Sequence, residues 1–245
     1  MEMRALTLVA ICGVAGLGCS KTGAAASGPT FGMSGGGPPS ARLKLGMAMI
    51  RSAMEDALVI QDRYKSEQAA LLAMSGTGLA RILHRGRFPV LEEPREGGAY
   101  YSFATRSNSY NDEPDLGLEL DYYRSGFYGG SEGFIWDLGT LDLVSIDPTL
   151  ATMPATLPPA ARDKWDFFDR DAKTTARDHD PEMRNRAREL KIDRSVPAVA
   201  GHTYLLRAIL DGEHDHAVAF TTLETDDDGH TIAWRILRSW PVPHR

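Results

Sequence analysis

Residues 203–238 constrain the fold of this chain more than any other stretch. Three strands are read there, from Thr203 to Leu210, His214 to Glu224 and His230 to Arg238. Asp211-Gly212-Glu213 and Thr225-Asp226-Asp227-Asp228-Gly229 supply the turns between them. With hairpins centred on those turns, Leu210 lies opposite His214 and Glu224 opposite His230. One face then collects Tyr204, Leu206, Val218, Phe220, Trp234 and Ile236. A slip of one residue would scatter this set over both faces, so agreement across three strands specifies the register. The other face carries Leu205, Ile209, Ala217, Ala219 and Leu237 together with Arg207 and Arg235, and is only half apolar.

A sheet with an apolar face needs a cover, and the upstream sequence offers helices. Leu43, Met47, Ile50, Met54, Leu58, Gln61, Tyr64, Gln68 and Leu71 recur at three- and four-residue steps behind Ser40 as N-cap. Such a stripe, rich in Met, is core-facing before it is a partner groove. Leu79 to Leu83 reads as a further helical turn. A second helical run opens at Pro158-Pro159 and extends to about Ala176, with Trp165 and Phe168 on one face. A third starts at Asp180-Pro181-Glu182 and carries Arg184, Arg186 and Arg188. Between the first and second helices, Ala99–Arg106, Leu116–Arg124 and Leu141–Ile146 read as strands. The expected fold class is α+β: antiparallel sheet, with the C-terminal three-stranded meander packed against helices, in a single domain from residue 41 to 245. At 42% hydrophobic and 24% charged residues, the chain can build a core without staples.

Several patterns imitate functional sites. Gly129-Gly130-Ser131-Glu132-Gly133 matches the G-x-S-x-G nucleophile elbow, which needs a strand ending at the serine and a helix beginning there. Phe134-Ile135-Trp136 reads as strand instead. An envelope hydrolase using Ser131, with His214 or His216 as base, is therefore an alternative and not the leading reading. Tyr122, Tyr123, Phe127, Tyr128, Phe134 and Trp136 suggest an aromatic platform for a glycan or peptide, against the plainer reading of core rings. Asp163, Asp166 and Asp169 share a helix flank that could draw a hard cation, but the pattern is that of a solvated face. The acidic turn at Asp226 fails as an EF-hand, because Arg235 stands where a ligating glutamate belongs. There Gly229 is expected to take a positive φ in a hairpin loop. His214 and His216 have the spacing of two ligands on one strand face, with His202 and His230 at the other end of the sheet. A metal-binding module using His214 and His216 needs His179 or a carboxylate folded over them. No catalytic residue, metal site or cofactor is assigned from sequence alone.

The net charge of −6 disfavours a phosphate backbone as partner, so nucleic acid is not expected. Both cysteines, Cys12 and Cys19, lie in the first twenty residues. Ala5 to Leu17 is almost wholly apolar, and shorter than the roughly 20 residues of a spanning helix. With Arg4 before it and small residues after it, it has the form of a secretory signal over residues 1–18. The run Gly16-Leu17-Gly18-Cys19-Ser20 resembles the lipobox of bacterial lipoproteins. That resemblance implies cleavage before Cys19, a diacylglyceryl group on its thiol, and, from the neutral Ser20, an outer-membrane destination. Residues 19–40, rich in Gly, Ala, Ser and Pro, read as a flexible tether. Gly201 to Arg207, with Ala219-Phe220 and Asp226-Asp227-Asp228-Gly229, resembles the closing segment of uncharacterised secreted bacterial proteins, which implies no activity. The functional expectation is a membrane-anchored lipoprotein of the cell envelope, held by a lipid on Cys19, that binds or scaffolds a protein or glycan.

Overall fold

The computed structural model describes residues 48, 52, 58–85, 98–108, 114–127, 131–169, 181–210 and 213–241. The signal and tether segments, Cys19, Met47, Ile50, Met54, Tyr128, Gly129, Gly130 and His179 lie outside them. Residues 58–67 are helical, and after Gln68 the short helix α1 (Ala69–Leu72) follows. Gln61, Tyr64 and Gln68 are half-buried and Leu71 is buried, whereas Leu58 is exposed.

Among the described residues, nine strands make two antiparallel sheets. The first, in order β1-β9-β8-β7-β5, comprises β1 (Thr77–Leu83), β9 (Gly229–Trp240), β8 (His214–Thr225), β7 (Thr203–Leu210) and β5 (Ser131–Asp137). The second, in order β2-β3-β4-β6, comprises β2 (Tyr100–Tyr101), β3 (Leu116–Glu119), β4 (Tyr122–Arg124) and β6 (Ser195–Pro197). The molecule mixes helix with antiparallel sheet and is dominated by strand, so the α+β expectation holds in its coarse form.

Both faces of the five-stranded sheet are buried. One packs on the smaller sheet: Ile82, Ile135, Leu206, Val218, Phe220, Ile232 and Trp234 meet Tyr101, Phe103, Leu116, Leu118 and Tyr123. The other packs on α2 (Arg162–Asp169), α3 (Pro181–Glu189) and the connection before them. There Leu205, Ile209, Ala217 and Ala219 meet Trp165, Phe167, Phe168, Met183, Leu143 and Ile146. At Arg207 the polar character of this face is met by pairing. Arg207, fully buried, donates from Nε and Nη2 to the two carboxylate oxygens of Asp215 at 2.9 and 2.7 Å. Its guanidinium lies 3.8 Å from the Trp240 ring centroid.

The meander register matches the expectation where packing is tightest: Leu210 pairs with His214, Val218 with Ile236 and Phe220 with Trp234. Beyond Thr222 a bulge shifts it by one, so that Glu224 faces Thr231 and Thr225 faces His230.

Other expectations are corrected. Leu79–Leu83 belongs to strand β1, because Gly76 at φ +70° turns the chain after α1. Leu116–Arg124 is a hairpin and not one strand: Glu119 pairs with Tyr122 across a two-residue turn whose Leu120 sits at φ +54°. Side-chain parity flips there, leaving Leu120 exposed and Tyr123 buried. Ala99–Arg106 keeps only the two strand residues of β2 before a turn. Leu141–Ile146 holds a 3-10 turn at Leu143–Ser145, capped by Asp142 accepting from the Val144 N–H. Gly229 does not take a positive φ. It is needed because an added Cβ would fall 2.2 Å from the Ile82 carbonyl oxygen on the neighbouring strand. The proposed aromatic platform is dispersed: Tyr123 lies in the inter-sheet core, Phe134 under the helices, and Tyr122 at the surface.

Between the sheets, His230 Nδ1 lies 3.2 Å from the Tyr123 hydroxyl, which lies 2.7 Å from Thr222 Oγ1. Burial, reinforced by the neighbouring His84 and Arg81, pushes the His230 pKa down to about 4. Between that value and the ordinary 6.5 the unfolded chain holds a proton that the folded chain excludes, so stability falls as pH drops through this window. Urea unfolding at pH 6.5 and pH 4 is expected to differ by about 2–3 kcal/mol from this group. The difference should shrink measurably in His230→Gln, and an unchanged pH slope would contradict the assignment.

Candidate functional site

His214 and His216 lie on the face of β8 that turns toward the smaller sheet, because they share parity with Val218 and Phe220. Their rings stack nearly parallel, centroids 4.5 Å apart and planes 6° apart. The carboxylate that the spacing required does fold over them. Asp115, immediately before β3 of the facing sheet, places Oδ1 2.8 Å from His214 Nε2 and Oδ2 3.3 Å from His216 Nε2. One ligand-type atom from each residue lies within 4.8 Å of the others.

Asp115 is held from four sides. Its N–H donates to the Tyr101 carbonyl at 3.0 Å, and its own carbonyl accepts from Ser125 Oγ at 2.6 Å. Its Oδ2 accepts from the Phe103 N–H at 2.8 Å, and Oδ1 meets His214. Ser125 reaches this position because Gly133 on β5 leaves room: a Cβ there would lie 2.0 Å from Ser125 Oγ. Only 3% of Asp115 is exposed. Desolvation by burial pushes its pKa up, but the charges of His216 and His214 and the hydrogen bond of His214 outweigh it and hold the carboxyl well below the usual carboxylate range.

Asp115 and His214 line a narrow cleft at one end of the sandwich. Pro114, Ser125, Gly126, Ser131, Leu210 and His214 border it, and the room for water-sized molecules is about 10 Å³. That suits one water or one ion. His214 reaches the cleft, whereas His216 lies beneath it, 3% exposed. No protein-family model, curated protein or solved structure matches this chain.

The structure brings the two alternative sites of the sequence reading to one place. Ser131 pairs with Leu210, and Leu210 with His214, so all three side chains share a face and a row. Ser131 nevertheless begins a strand that runs on to Asp137, which is not the strand-to-helix turn of a nucleophile elbow. His202 lies at the opposite end of the sheet, 3.0 Å from Asp137, and His230 is buried beside Tyr123. Asp163, Asp166 and Asp169 answer Arg186, Arg162 and Arg238 on the surface, as a solvated face does. Asp226 accepts from Arg81 and from the N–H groups of Asp228 and Gly229, so it closes its own turn. Sequence reasoning missed Asp115. Its only signal was an acidic residue after Pro114 at the mouth of an alternating strand.

Asp115→Asn should destabilise the fold by about 2–4 kcal/mol, because it removes the buried negative charge that faces the half-buried His214 and the buried His216. Chemical denaturation checks this, and a loss below 1 kcal/mol would show that the carboxylate is dispensable. Ser131→Ala is expected to leave hydrolysis of an ester panel unchanged relative to the parent chain.

Proposed function

We propose that this chain is a lipid-anchored protein of the bacterial cell envelope whose folded domain works by binding a small polar ligand at the Asp115–His214 end of the sandwich. The observation that carries the binding reading is the cleft itself. A buried carboxylate and His214 line the cleft with His216 packed against them, whereas a buried charge such as Arg207 is tied into a structural pair with Asp215. The anchor reading is supported by the apolar run from Ala5 to Leu17 and by Cys19 in the lipobox-like run Gly16-Leu17-Gly18-Cys19-Ser20. No helix among the described residues is long and apolar enough to cross a membrane. Each buried CH₂ of an acyl chain contributes about 0.8 kcal/mol, so two or three chains would hold the protein at a bilayer. The envelope-hydrolase alternative with Ser131 has less support, because extended backbone follows the serine.

Cys19→Ser, expressed in a bacterial host beside the parent chain, is expected to move the protein from the membrane to the soluble fraction and to leave its signal segment uncut. Sedimentation and mass measurement read both effects. Equal membrane association and equal processing of the two chains would sink the anchor reading.

A further inference from the structure

The ligand at this end of the sandwich has a definable chemistry. We infer that Asp115, His214 and His216 form a binding site for one divalent transition-metal ion, of which Zn²⁺ is the type, with an open coordination position facing the cleft. The inference rests on the reading of this end as the ligand-binding end, and it names the ligand.

Three observations carry it. First, the donor set is complete in kind: two imidazole nitrogens and one carboxylate oxygen from two different sheets lie within 4.8 Å of one another. Zinc sites with three protein ligands use such sets, with metal–ligand bonds near 2.0–2.2 Å. Ligands at that radius in a tetrahedron stand about 3.4 Å apart, close to the 3.3 Å between His216 Nε2 and Asp115 Oδ2. Second, His216 Nε2 is fully buried, and its contact with Asp115 Oδ2 at 3.3 Å lacks the geometry of a hydrogen bond. A buried nitrogen left so is costly, and a metal ion would use its lone pair. Third, the two rings, stacked at their two-residue spacing on β8, turn both Nε2 atoms to the one carboxylate of Asp115.

The chemistry of the donors selects the ion. Calcium and magnesium take six or more oxygens, whereas two imidazoles with one carboxylate suit zinc, cobalt, nickel or ferrous iron. The carboxylate oxygens are already oriented, since Oδ2 also accepts from the Phe103 N–H, an outer contact of the kind that orders metal ligands. On binding, the proton between His214 Nε2 and Asp115 Oδ1 leaves, and the ion takes its place. Three protein ligands leave a fourth position. It points to the cleft beside Ser131 and Ser125, where the space admits one water or a comparably small ligand.

The test uses the full chain in detergent, stripped with a chelator and titrated with CoCl₂. The expected result is one equivalent bound, with the visible absorption of four-coordinate cobalt, displaced by ZnCl₂. Proton NMR of the cobalt form in water should show two exchangeable, strongly shifted imidazole signals. At a hundredfold excess of ion over Kd, the melting temperature should rise by about 5–10 °C. The double variant His214→Gln/His216→Gln should lose at least about a hundredfold in affinity. A folded parent chain that takes up neither ion at 100 μM overturns the inference, as does undiminished uptake by a folded double variant. If that variant does not fold, the NMR count decides: fewer than two shifted imidazoles overturns it. Membrane release by Cys19→Ser is read separately, so failure of the metal site and failure of the envelope reading are distinguishable.

Discussion

The long β8–β9 hairpin is the element on which the rest of the structure depends. Its residues are buried on both faces, by the smaller sheet on one side and by α2, α3 and their connections on the other. Burial on two faces makes register expensive to change. A slip of one residue would move Val218, Phe220 and Trp234 out of the inter-sheet core and drive Arg207 and Asp215 out of their paired geometry. The bulge beyond Thr222 absorbs a one-residue mismatch without disturbing the Phe220–Trp234 pair. A second register shift lies between Ala217 and Val218, where Leu237 of β9 is skipped.

Burial on both faces also explains why polar groups inside this molecule come in closed sets. Arg207 meets Asp215 and Trp240, while Tyr123 joins Thr222 and His230. Asn108 donates to the carbonyl of Arg81 and lies within reach of those of Gly98 and Tyr100, tying β1 to the smaller sheet. Each set satisfies groups that would otherwise be stranded away from water. The Asp115–His214–His216 cluster differs in two respects. It opens onto a cleft, and it gathers two imidazoles and a carboxylate whose ligand-type atoms lie within 4.8 Å of one another. Those differences set it apart from the structural pairs as a place where chemistry with a ligand can occur.

The elements legible in the sequence were those with strong periodicity and clear boundaries. The three meander strands were read within two residues of their observed ends, because alternation and turn residues agree there. The helix around Trp165 and Phe168 and the helix after Asp180 were legible for the same reason. Short elements were not. Five apolar residues at Leu79–Leu83 fit a helical turn or a buried strand equally well, and only pairing with β9 decides between them. The hairpin at Leu120 carried no turn signal, since leucine seldom takes a positive φ. The smaller sheet as a whole was invisible as a layer. Its strands are two to four residues long, too short for a period to emerge.

The sequence by itself determined the strand-dominated C-terminal meander, its register at the core, and the placement of His214 and His216 on one face, because a two-residue period allows no other arrangement. It also carried an apolar stretch ending at Cys19, a local pattern that needs no fold to be read. Only the tertiary structure decided that Asp115, 99 residues before His214, is the third member of the cluster. Which carboxylate covers a histidine pair depends on how two sheets stack, and stacking is set by the summed shape of a core that no local window contains.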